Sequence, residues 1–195
     1  NEDYKSDESE QKIFRKKFFA NNVYKGIENI AQIYGFGGIQ PNTVMLGFPN
    51  DTSKIGDFLN LETFVKKIDY NNIILKYNNQ KNFGNHKNIH VWWEGDSRNL
   101  VFAISLLRFL ESGFKWKRAK IKLFFINNYN IPKETIINTL KSTISNYRID
   151  IQIEVINNVI INKESYQIIK NESSDADLII YDAPDFFAAK EQEQV

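Results

Sequence analysis

The chain has 195 residues, with 25 Lys and Arg against 24 Asp and Glu, two His and no Cys. That length allows one sizeable core, and 42% hydrophobic with 14% aromatic residues excludes general disorder. A net charge of +1 gives no global electrostatic pull on nucleic acid, and zero Cys removes disulfides, thiolate nucleophiles and Cys metal sites.

The opening Asn1-Glu-Asp-Tyr-Lys-Ser-Asp-Glu is polar and acidic, so no secretory leader is expected and residues 1–20 read as a flexible linker running into a first helix. Heavy use of Asn and Ile reads as compositional bias, so no single Asn is given weight. Val23, Ile27, Ile30, Ala31 and Tyr34 share one face of a helix over about 22–34. Gly35-Phe-Gly37-Gly38 ends it, and Pro41-Asn42 leads into a strand, Thr43 to Phe48, closed by Pro49. Phe58, Leu61, Val65 and Ile68 mark a second helix, followed by a strand over Ile73–Tyr77 and a polar loop over Asn78–Lys87.

Ile89–Trp93 is the next strand, and the most hydrophobic helix follows at about 98–112, capped by Asp96 or Ser97 and stopped by Gly113. A strand over Ile121–Ile126 precedes a helix with Asn130 as N-cap, Pro132 in its first turn and Ile136, Ile137, Leu140 and Ile144 as its buried stripe. Ile149, Ile151, Ile153 and Val155 then alternate with Asp150, Gln152 and Glu154; one face must meet water, which places this strand at a sheet edge. A weaker helix near 163–172 and the strand Leu178–Tyr181 complete the pattern, with 185–195 a solvated tail. Strand–helix alternation demands a mainly parallel sheet, so residues 21–184 read as a single α/β domain, a three-layer sandwich with helices on both faces. No apolar run approaches the ~20 residues that span a bilayer.

In such a sheet ligands sit beyond the carboxyl ends of the strands. Those positions hold Asn50-Asp51, Glu94 with Asp96, Asn127-Asn128, and Asp182 with Asp185. Acids gathered there would hold Mg²⁺ for phosphoryl transfer, with Asp182 or Glu94 in the reaction; turns and caps favour Asp and Asn in any case, and no D-x-D pair is present. Gly35-x-Gly37-Gly38 follows a helix and opens a strand, the reverse of a phosphate loop, so it reads as a tight turn. His86 and His90 straddle a loop–strand boundary where a spacing of four does not bring side chains together. Trp92 and Trp93 point to opposite faces and read as core. Lys115, Lys117, Arg118 and Lys120 around Trp116 form the densest basic tract after Arg15–Lys17, a solvated loop or a weak contact for anionic lipid. No catalytic constellation emerges.

Four blocks in order are similar to the cytosolic tails of cation–chloride cotransporters. Val23 to Pro49, with its Gly35-x-Gly37-Gly38-x-x-Pro41-Asn42-Thr43 centre, resembles their helix, G-x-G-G-x-x-P-N-T and strand; Ile89-His-Val-Trp92-Trp93-Glu-Gly-Asp resembles their I-D-V-W-W strand and acidic turn. Lys115-Trp116 to Phe125 resembles their W-x-x-C-K-I-R-I-F connection, and Asp175 to Pro184 their late strand and proline turn. The resemblance implies a universal-stress-protein-like fold at the cytoplasmic face of the cell membrane. It further implies a non-enzymatic regulatory domain that dimerises, needs no cofactor, binds no nucleic acid and is joined to the transmembrane domain of the same polypeptide. Members of that family are symporters of the amino acid–polyamine–cation superfamily that move Cl⁻ with Na⁺ or K⁺. The chain departs from the pattern at Ala119, where the family has Cys. The alternative reading is a nucleotide-binding stress protein or a Mg²⁺-dependent phosphoryl-transfer enzyme; the G-x-x-G loop that such stress proteins carry does not follow Leu178-Ile-Ile.

Overall fold

A computed structural model describes residues 17–33, 41–93, 95 and 97–182. Most of the expected linker, the Gly35–Gly38 turn, Glu94, Asp96 and the expected tail lie outside the described residues. The chain divides into two compact units, residues 1–79 and 80–195, and each carries its own parallel sheet.

The first unit comprises α1 (Val23–Ile33), β1 (Thr43–Gly47), a 3₁₀ turn (Thr52–Lys54), α2 (Ile55–Lys67) and β2 (Asn71–Leu75). The Asn22 carboxamide oxygen accepts the N–H groups of Tyr24 and Lys25, which starts α1. Strands β1 and β2 run parallel with Thr43 opposite Asn71. Phe58, Leu61 and Val65 of α2 are buried with Leu46, and Tyr24 and Ile27 of α1 pack against them. Val23, expected on that face, is 71% exposed; as the first helical residue, its side chain precedes the turn that reaches the core. Strand β2 begins two residues before the expected Ile73, because Asn71 N–H already bonds the Asn42 carbonyl.

The second unit holds β3 (Asn88–Trp93), α3 (Ser97–Ser112), β4 (Lys120–Asn127), α4 (Lys133–Ile144), β5 (Ile151–Asn157), α5 (Ser165–Glu172) and β6 (Leu178–Tyr181). Its strands lie in the order β5-β4-β3-β6, every pair parallel. Register aligns Ile151, Ile121, Ile89 and Leu178 across the sheet. This face, odd-numbered in β3, β4 and β5 and even-numbered in β6, packs under α3 and α4 through Leu100, Ile104, Leu107, Ile136, Leu140 and Ile144. The opposite face buries Trp92, Phe124 and Ile126 against Ile168 of α5. Helices therefore cover both faces, and β5 lies at the edge that its alternation predicts.

Asn130 is not the N-cap of α4. That position belongs to Pro132, and Asn130 instead takes a left-handed φ of 53°. The reason lies one turn earlier: the buried Asn127 side chain accepts the N–H groups of Tyr129 and Ile131, so the loop folds around Asn127 before the helix begins.

Candidate functional site

Two asparagines at the carboxyl ends of β4 and β5, Asn127 and Asn158, turn inward to hold loops. Asn127, 1% exposed, donates to the Ile131 carbonyl at 2.7 Å and to Asn157 Oδ1 at 3.0 Å. Asn158 donates to Asn128 Oδ1 at 2.8 Å and to the Lys163 carbonyl at 2.9 Å, and accepts Lys163 N–H. Buried amides must be bonded somewhere, and these bind neighbouring backbone and one another, which ties the loops after β4 and β5 together. Asp182, at the end of β6, accepts both of its bonds from Asn99 Nδ2, at 2.8 and 2.7 Å. In the first unit Asp51 caps the 3₁₀ turn through Ser53; that hydroxyl and its backbone N–H hold the exposed carboxyl below its usual range. Among the described residues no cluster of three or more His, Asp or Glu side chains suited to a metal forms. A shallow groove in the second unit runs between α4 and β5, lined by Lys141, Ile144, Arg148 and Ile151. It sits toward the start of β5, the opposite end from that where α/β sheets take ligands.

The histidines separate as the spacing predicts. His86 has a left-handed φ of 58° and its ring lies edge-on to Trp116 at 4.6 Å, on the α3–α4 side. His90 points to the other face, where its ring packs 4.9 Å from Phe124 and Nδ1 lies 3.0 Å from Ser173 Oγ. The same hydroxyl oxygen accepts the Trp92 indole N–H at 2.9 Å, and Asp175 Oδ1 lies 3.8 Å from His90 Nε2. One proton arrangement satisfies all of them: Ser173 donates to an unprotonated Nδ1, and Nε2–H faces Asp175. Ser, His and Asp thus meet, but Ser173 is 5% and His90 1% exposed. A nucleophile must reach its substrate, and this hydroxyl is sealed under α5 and engaged by Trp92. His90, Trp92 and Ser173 form a buried clasp joining β3 to the segment after α5, with Asp175 exposed beside it. Alternation along β3 puts His90 and Trp92 on one face; Ser173 has no sequence signature, which is why the clasp escapes sequence reading.

Burial pulls the His90 pKa below its usual value; Asp175 opposes this and Lys122 of β4 adds to it. A histidine depressed in the folded state stabilises while neutral, so its contribution is present above about pH 6.5 and is lost as pH falls below it. Urea midpoints taken at about pH 7.5 and about pH 5.5, either side of the ordinary histidine value, are expected to fall on acidification, and by less in His90→Gln. Equal falls in both proteins would assign the loss to other groups.

The tryptophans are structural. Trp92 stacks on Phe124 at 4.5 Å and 12°, Trp93 tilts against Phe125 at 5.3 Å on the opposite face, and Trp116 is 8% exposed. Pro41 and Asn42 lead into β1, with the Asn42 side chain accepting from Thr43 Oγ1. Lys115, Lys117, Arg118 and Lys120 all face solvent.

No family profile matches the chain. It is 24% identical over 151 residues to potassium/chloride cotransporter 3 of Caenorhabditis elegans, an alignment covering 73% of this chain and 14% of that protein. The chain therefore spans about a seventh of that relative. Among solved structures it is similar to the cytoplasmic domain of a prokaryotic cation chloride cotransporter, with a TM-score of 0.63 and 18% identity over 89% of this chain and 66% of that one. The fold is that of this cytoplasmic domain.

Proposed function

We propose that this chain is the cytosolic domain of a cation–chloride-cotransporter-like membrane protein, a block without catalysis of its own that needs no cofactor. The observation that carries the reading is the likeness of fold over 89% of the chain to the cytoplasmic domain of such a transporter. Asn127 and Asn158, buried and spent on holding the loops after β4 and β5, support a scaffold over an enzyme. In this reading the partners are the membrane-spanning part of the same polypeptide and a second copy of the domain. Pairing below the membrane gives each copy a surface whose geometry differs between transport states, which is how a domain outside the pore biases the cycle. Regulation by such a domain is a coupling free energy, and tethering supplies the effective concentration for a weak pair.

Two measurements test this together. The reading frame upstream of Asn1 is expected to encode a set of apolar segments of bilayer-spanning length, and light scattering of the isolated domain is expected to show concentration-dependent dimers. A frame without such segments would sink the transporter reading. A monomer at every concentration would remove self-pairing by the domain itself.

A further inference from the structure

The turn between α3 and β4 is built to display groups outward. Gly113 N–H closes onto the Leu110 carbonyl at 3.0 Å, Ala119 N–H onto the Trp116 carbonyl at 2.9 Å, and Lys120 N–H onto the Lys87 carbonyl at 2.7 Å. Between these points Trp116 is sunk into the core, edge-on to Phe83 at 6.1 Å and to His86 at 4.6 Å. With Trp116 as the anchor, its neighbours turn outward. Phe114 is 97% exposed, and Phe109 on the preceding helical turn is 60% exposed. Lys115, Lys117, Arg118 and Lys120 are exposed and form no ion pair among the described residues.

A fully exposed ring beside four cations that form no ion pair among the described residues matches a surface that is apolar at one depth and negatively charged around it. We propose that this turn docks on an anionic lipid bilayer, with the Phe114 ring entering the headgroup boundary and the cations meeting acidic lipid headgroups. A bilayer offers both a boundary that takes up a single apolar ring and a diffuse negative potential. Nucleic acid fits less well: base stacking needs aromatics side by side on an open face, whereas Trp116 is buried and Phe114 stands alone at the tip. The inference deepens the transporter-domain reading by naming a partner. It also stands apart from that reading, because binding is measured on this chain alone.

The test is co-sedimentation of the full chain with vesicles of phosphatidylcholine, with and without about 30% phosphatidylserine, enough to give a strongly negative surface potential. Binding is expected to the acidic vesicles only, and to fall steeply with salt. Phe114→Ser and the double variant Lys117→Glu/Arg118→Glu are each expected to lower the partition coefficient about tenfold. Lys133→Glu at the start of α4, at the opposite end of the sheet from the turn, is expected to leave it within about twofold. All four positions are exposed, and a thermal melt confirms folding of each variant. Equal binding to neutral and acidic vesicles, or full binding by Phe114→Ser, overturns the proposal. So does duplex DNA competing off the vesicles with unchanged affinity for Phe114→Ser, which would assign the tract to nucleic acid. The upstream reading frame is a separate test, so failure here leaves the transporter reading standing.

Discussion

Asp177→Ala is expected to destabilise the second unit by about 2–4 kcal/mol, read as a lower urea midpoint. Asp177 sits just ahead of β6, and its carboxylate accepts three backbone N–H groups of the loop before β3: Asn85 at 3.0 Å, Lys87 at 2.6 Å and Asn88 at 3.0 Å. Burial pushes this carboxyl upward, but the N–H groups of Lys87, Asn88 and Asn85, helped by His86, outweigh it and leave the pKa below its usual value. A depressed carboxylate stabilises while ionised, so its contribution is held at neutral pH and lost as pH falls below about 4. Asp177→Asn, keeping one acceptor oxygen, is expected to lose less than Asp177→Ala. Gly84 belongs to the same device: its φ is 52°, and a Cβ added there would overlap Asp177 Oδ1. Gly84→Ala therefore adds left-handed strain to displacement of the carboxylate. The double variant Gly84→Ala/Asp177→Ala is expected to cost less than the sum of the two, because the clash disappears with the side chain. Strict additivity would refute the shared device.

Trp92→Ala is expected to cost about 3–5 kcal/mol, a large share of the roughly 5–15 kcal/mol that holds a domain together. The ring is 3% exposed, stacked on Phe124, and anchors the core beneath α5. Removing it opens a cavity and also leaves the Ser173 hydroxyl without its indole donor. Trp92→Phe separates the two terms: it restores most of the apolar volume and is expected to retain a loss of about 1 kcal/mol from the unmatched hydroxyl. Adding Ser173→Ala to Trp92→Phe trades that hydroxyl for a methyl, but strips His90 Nδ1 of its donor as well. The measurement is chemical denaturation followed by near-UV circular dichroism. A loss below about 1 kcal/mol for Trp92→Ala would show that this face of the sheet contributes little to stability.

Much of this architecture is legible in periodicity. The stripe Leu100, Ile104 and Leu107 marks the helix that covers one face, and the apolar Ile89–Trp93 marks a strand buried on both sides. The alternation in β5 is legible because one of its faces has to be polar. Boundaries are harder: β2 starts two residues before Ile73, where Asn71 carries no apolar signal, and β5 starts two residues after Ile149, because Arg148 leaves a 3₁₀ turn with a left-handed φ of 52°. The larger miss concerns asparagine. In a chain rich in Asn, nothing in the sequence separates Asn127 and Asn158, buried and fully bonded, from exposed ones such as Asn130. Which amide is sunk depends on how two loops meet in space, and that information is not local. The same holds for the clasp of His90, Trp92 and Ser173, in which Ser173 lies more than 80 positions from the other two.

The outermost strand of the second sheet carries one more implication. On β5 the Gln152 amide donates to Glu154 at 2.8 Å, which sets a carboxylate along a strand with no neighbour on its far side among the described residues. A charge there discourages the unsatisfied ladder from recruiting a foreign strand, the route by which open sheets grow into fibrils. Glu154 thus works against strand addition at that margin.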